Sequence, residues 1–177
     1  MAGATEQPPF FRGVAPFTWT PNRLYRVYIL PGELVFIYAG SGGEVSAAVG
    51  AQFGLLGGLI AAAANPKRKN EQRQQQLDSA GLDKLIADHK HNFRAPAADL
   101  SEVSIDPRSF WLAAMYSQPQ HLGVFRFTHA EKGKMCLCIG AADDMKVAIE
   151  NLPRALGDLV AVNVEWNETK RKFVKKQ

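Results

Sequence analysis

A chain of 177 residues, 46% hydrophobic and 21% charged, is long enough for one ordinary domain plus an insertion and too short for two typical domains. Those fractions lie near the globular average, which excludes wholesale disorder and a polytopic membrane protein. The net charge of +4 is unevenly spread: residues 1–66 balance three basic against three acidic groups, residues 67–95 carry seven against four, and residues 169–177 carry five basic groups and no acid.

No basic start followed by an apolar core opens the chain, so no secretory signal is expected. Prolines at 8, 9, 16 and 21 deny the backbone donors that a helix or central strand needs. Residues 1–22 therefore read as a Pro-rich arm whose Phe10, Phe11, Phe17 and Trp19 can dock on the domain. From residue 23 to 30, Tyr25, Val27 and Ile29 alternate with Leu24, Arg26 and Tyr28, and after Pro31-Gly32 a second run covers 34–38. β-Branched and aromatic residues on both sides of a Pro-Gly turn predict a hairpin.

Residues 45–65 contain no charged side chain and are mostly Ala and Gly with Gln52 inside. The length suits a membrane span of roughly 20 residues, but the hydrophobicity is marginal. Gly50, Gly54 and Gly58 recur every four residues, which puts them on one helical face where a second helix can approach closely. A single crossing would leave the hairpin on the opposite side of the membrane from every later strand, so they could not share a sheet. Packing against a protein partner or a second copy is the expectation. Pro66 and Lys67-Arg68-Lys69 stop the run, and after Asp78-Ser79 a second helix is expected over 80–89, with Leu82, Leu85, Ile86 and His89 on one face. Residues 45–90 thus read as a helical-hairpin insertion after strand two.

Four further strands are expected at 100–105, 110–116, 122–129 and 134–139, spaced as in an antiparallel meander. Asp143-Asp144 then mark a helix N-terminus, with Met145, Ala148, Ile149 and Leu152 as its apolar stripe. Pro153 is expected to end or kink that helix and Gly157 to close it, before one last alternating strand over 159–166 and a frayed basic tail, 168–177.

The order hairpin, excursion, meander, capping helix resembles the pleckstrin-homology-like (PH-like) domains of bacteria. The resemblance is carried by residues 24–38, by the Asp99-Leu100-Ser101-Glu102-Val103-Ser104-Ile105 run, by residues 123–127 and by the helix from Ala142. It implies an α+β fold over residues 23–167: an antiparallel PH-like sheet or half-barrel closed by a C-terminal helix. The insertion and the strand after the helix depart from the family pattern. Lipid-binding members use basic residues in the first hairpin loop, which here is the short, acidic Pro31-Gly32-Glu33, so the fold is implied and the lipid site is not.

Gly40-Ser41-Gly42-Gly43 follows a strand, but no Gly-Lys-Ser/Thr completes a phosphate loop, and a flexible joint is the better reading. His89 and His91 could turn two imidazoles toward one ion; solvated helix-end histidines are expected instead. Cys136 and Cys138 sit in an apolar run that reads as strand interior, where reduced, unreactive thiols are expected. No Gly-x-Ser-x-Gly elbow is present, and the chain is expected to be non-enzymatic, with no cofactor, no metal and no catalytic residues. Lys67, Arg68 and Lys69, with Lys170, Arg171, Lys172, Lys175 and Lys176 beside Phe173 and Val174, are candidates for binding an anionic surface. The expected role is an interaction module, cytoplasmic or peripheral at the inner membrane face, that self-associates or docks on a membrane or membrane protein. A small-ligand or enzymatic pocket between sheet and insertion, and nucleic-acid binding through the tail, are the alternatives.

Overall fold

The computed structural model describes residues 8–16, 22–41, 81–110, 112, 121–170 and 172–176. In chain order they form β1 (Phe10–Ala15), β2 (Arg23–Leu30), β3 (Glu33–Ser41), α1 (Leu82–Ala87), β4 (Phe93–Pro96), β5 (Leu100–Pro107), β6 (Gly123–His129), β7 (Gly133–Ile139), α2 (Ala142–Leu156), β8 (Val160–Val162), β9 (Val164–Asn167) and β10 (Lys172–Lys175). The fold is α+β. One eight-stranded sheet runs β4-β3-β2-β1-β7-β6-β5-β8, with β9 and β10 as a separate hairpin. Every neighbouring pair is antiparallel except β5 with β8, which is parallel.

The β2–β3 hairpin turns at Gly32, whose φ of 73° suits a residue without a side chain. Its register sets Tyr25 opposite Tyr38, Val27 opposite Phe36 and Ile29 opposite Leu34, so one set of large side chains faces inward. That inner face continues through Phe11, Ala95, Ile105, Phe125, Phe127, Leu137 and Ile139 and is covered by Met145, Ala148 and Leu152 of α2. A second apolar layer forms on the outer face of β1–β3, where Val14, Leu24, Tyr28, Val35, Ile37 and Ala39 pack with Leu85 of α1. A strand buried on both faces has no polar alternation, and β2 is buried from Leu24 to Ile29. The outer face of β5–β7 differs: it carries Ser104, Asp106, Arg126, Cys136 and Cys138.

Several expectations need correction. Residues 10–15 are not an arm but β1, which pairs with β2 along its whole length and with β7 at Val14 and Cys138. Pro8, Pro9 and Pro16 flank the strand rather than interrupt it, so their missing donors cost the ladder nothing. The helix expected over 80–89 is α1, Leu82–Ala87, and presents Leu82, Leu85 and Ile86 to the outer layer; His89 lies beyond it. Most of the strand expected at 110–116 lies outside the described residues, and Phe110 and Leu112 have helical backbone.

Helix α2 passes through Pro153 and ends at Leu156, where the Gly157 N–H bonds the Pro153 carbonyl; a proline this close to the C-terminus removes a single donor. The last strand is divided at Asn163, whose N–H donates to the Ile105 carbonyl (2.9 Å) and whose Nδ2 donates to Asp106 Oδ1 (2.8 Å). The tail is not frayed over its described part, because β10 pairs with β9 and buries Phe173 in the main core against Trp166. Among the described residues no helix is long and apolar enough to cross a membrane.

Candidate functional site

Gly50, Gly54, Gly58, Lys67, Arg68, Lys69 and Arg171 lie outside the described residues. The remaining basic candidates gather on one hairpin: Lys170 in its turn, Lys172 and Lys175 on β10, and Lys176 just after, all exposed. Phe173 meets Trp166 edge to face at 5.0 Å, and Lys146 of α2 lies 5.8 Å from the Trp166 ring. Glu165 and Glu168 are the acids of this hairpin. Its connection to the sheet is at the Ile105 end of β5, through the Asn163 bonds.

A second concentration of functional side chains occurs at the other end of the sheet. Tyr38 on β3 stacks on His89 (4.4 Å, 11° between planes) and meets His91 edge-on at 5.6 Å; the two imidazoles are 5.1 Å apart. Local hydrogen bonds position them. Asn92 Oδ1 accepts the Tyr38 N–H (2.7 Å), its Nδ2 donates to the Leu85 carbonyl (2.5 Å), and the His91 N–H donates to His89 Nδ1 (3.2 Å). Asn92 thus continues the β3 ladder one step past Phe93, the end of β4. Phe93 stacks on Phe36 at 4.4 Å, and Lys132 Nζ, from the β6–β7 turn, lies 4.7 Å from the Phe93 ring centroid. Arg23 hydrogen-bonds Tyr25, whose phenol is pushed up by burial despite that cation. His91 is held below the ordinary imidazole range, first by desolvation and then by Arg23, His89, Lys90 and Lys132.

His129 on β6 is 4% exposed and sits edge to face with Phe93 at 5.7 Å. Its Nδ1 accepts the Glu131 N–H (3.1 Å), which leaves the proton of the neutral ring on Nε2. That buried Nε2 has no hydrogen-bond partner among the described residues.

The cysteines are not core residues. In β7 the alternation turns Leu137 and Ile139 inward and leaves Cys136 and Cys138 half-buried on the outer face as free thiols, not joined by a disulfide. Cys136 is opposite Arg126, and Arg126 bonds Asp106 (2.7 Å), which also accepts from Ser104 (2.8 Å). Burial acts to raise the Asp106 carboxyl, but the bond from Asn163 Nδ2, followed by those from Ser104 and Arg126, holds it below its usual range. A hydrogen bond from Cys138, with help from the Arg126 charge, lowers Cys136 against desolvation; the same thiol pair raises Cys138.

Sequence reading found the histidines but not Arg23, Tyr38 and Lys132, which only the sheet register brings to them. It found the cysteine spacing but not Arg126 opposite. No group of three or more His, Cys, Asp or Glu capable of holding a metal exists among the described residues. Comparison with family models, with curated proteins and with solved structures finds no match to this chain.

Proposed function

We propose that this protein is a non-enzymatic interaction module with a PH-like fold that docks peripherally on an anionic membrane surface. The observation that carries the docking role is the β9–β10 hairpin, which holds Lys170, Lys172, Lys175 and Lys176 on a short folded element pinned by Phe173. Lysines close to an anionic bilayer gain about 1 kcal/mol each, so four of them, offset by Glu165 and Glu168, suit weak, reversible, salt-sensitive attachment.

The PH-like reading is supported by contacts across the inner face. Phe36 of β3 and Phe127 of β6 have ring centroids 5.2 Å apart, although β2, β1 and β7 intervene in the sheet. Four strand spacings in a flat sheet would be about 19 Å. A strongly bent, half-barrel sheet with α2 against it fits these distances.

Flotation with phosphatidylserine vesicles tests the docking role. The intact chain should float at low salt and stay down at high salt, and changing all four lysines to Gln should abolish flotation. Equal flotation of wild type and variant would overturn the proposal. Self-association through Gly50, Gly54 and Gly58 is tested independently, by light scattering of a Gly54→Leu chain.

A further inference from the structure

We propose that Cys136 and Cys138 form a two-thiolate site for cuprous ion on the outer face of β7. Residues two apart on a strand share a face, with about 6.7 Å between their Cα atoms. The alternation of β7 puts both thiols on the side opposite Leu137 and Ile139. Both are free and half-buried, and they lie close enough to share a hydrogen bond.

That spacing suits an ion better than a disulfide. A disulfide draws its sulfurs to about 2.0 Å and its Cα atoms to roughly 5.5–6 Å, which an extended strand paired with β6 from Gly133 to Ile139 resists. An ion held between two thiolates keeps them two metal–sulfur bonds apart, about 4.6 Å at the zinc–thiolate length. Rotation of the two side chains on one face reaches that separation without moving the backbone.

The surroundings select the ion. Thiolates are soft ligands that favour cuprous ion, zinc and iron–sulfur clusters. Zinc takes four protein ligands in structural sites and three with a water in catalytic ones, whereas the described residues contain no group of three or more His, Cys, Asp or Glu able to hold a metal. Cuprous ion, a closed-shell cation, is satisfied by two sulfurs in a line. Two thiolates around a monovalent cation leave one negative charge, and Arg126 is opposite Cys136 in the ladder to meet it. Asp106 accepts from that guanidinium (2.7 Å) and fixes it beside the strand. Val124 and Val14, the neighbours of Cys138 on the adjoining strands, are buried and limit the access of water to that sulfur.

Anaerobic titration of the full chain with cuprous ion, in competition with the chelator bicinchoninate, tests the site. The wild type should take one equivalent from the chelator, and X-ray absorption of the loaded protein should show two sulfur neighbours and no nitrogen shell. Cys136→Ser and Cys138→Ser, each checked for an unchanged circular dichroism spectrum, should leave the metal with the chelator. Arg126→Gln keeps both sulfurs and should weaken retention about tenfold. No transfer to the wild type, equal retention by either serine variant, or a shell containing nitrogen would overturn the proposal. Tighter retention of zinc than of cuprous ion under the same conditions would overturn it as well.

Discussion

Asp144 accepts from Arg12 twice over: the backbone N–H of Arg12 reaches Oδ1 at 3.1 Å, and its guanidinium Nε reaches Oδ2 at 3.1 Å. The first turn of α2 thereby satisfies a β1 donor that β7 leaves open, since β1 and β7 pair only at Val14 and Cys138. Sequence placed this aspartate as a helix-end acid; its partner is in a strand at the far end of the chain.

Asp144→Ala should destabilise the fold by about 1–3 kcal/mol, because a backbone donor loses its acceptor. Asp144→Asn keeps an oxygen for that donor and should cost less. Burial, aided by Asp143, pushes the Asp144 carboxyl up despite the Arg12 contacts. A folded value above the unfolded one means that stability falls as pH rises from the unfolded value through the folded value. Urea midpoints measured from pH 3 to 7 (roughly the range bracketing a raised carboxyl) should show that slope in the wild type and not in Asp144→Asn.

His121 gives the opposite sign. It is buried, accepts the Ser109 N–H at Nε2 (3.1 Å), and is held below the ordinary imidazole range by desolvation, then by Arg108 and Arg126. The unfolded chain therefore binds its proton first, and stability should drop as pH falls below about 6.5, the unfolded value. Thermal melts of His121→Gln should show a shallower loss between neutral and mildly acid pH than the wild type.

Gly123 begins β6 where a Cβ would lie 2.5 Å from Met145 Cε and 2.9 Å from the Asp106 carbonyl oxygen. The methionine tip can move, but the carbonyl belongs to the neighbouring strand. Gly123→Ala should cost about 1–3 kcal/mol, read as a lower urea midpoint at unchanged slope. Adding Met145→Ala should not restore it.

Phe173→Ala should cost about 3 kcal/mol, the low end of the range for a large buried aromatic, because β10 is part of the core. Chemical denaturation would measure it. A chain with a dispensable tail would lose nothing.

Cys136 should react with iodoacetamide before Cys138, since Arg126 and the Cys138 thiol favour its thiolate. Peptide mass spectrometry after brief labelling gives the order, and Arg126→Gln should slow the first modification.

What was legible in the sequence was local. Pro31-Gly32 between alternating runs marked the β2–β3 hairpin, and Met145, Ala148 and Leu152 marked the buried stripe of α2. β1 is hidden because Pro8, Pro9 and Pro16 suggest a broken strand, whereas they bound it. The His91 cluster was hidden for a different reason: the β2–β3 register, the Asn92 side chain and the β6–β7 turn assemble it, and no spacing along the chain encodes their meeting. The β9–β10 hairpin was obscured by its lysines, which suggested a solvated tail although Phe173 among them is an anchor.

The position of β1 sets an order of events at the ribosome. Val14 is made 124 residues before its partner Cys138, roughly 6–25 s at typical elongation rates. Until then one edge of the nascent β1–β3 sheet has open hydrogen-bonding groups, which makes it the segment most exposed to wrong pairing during synthesis.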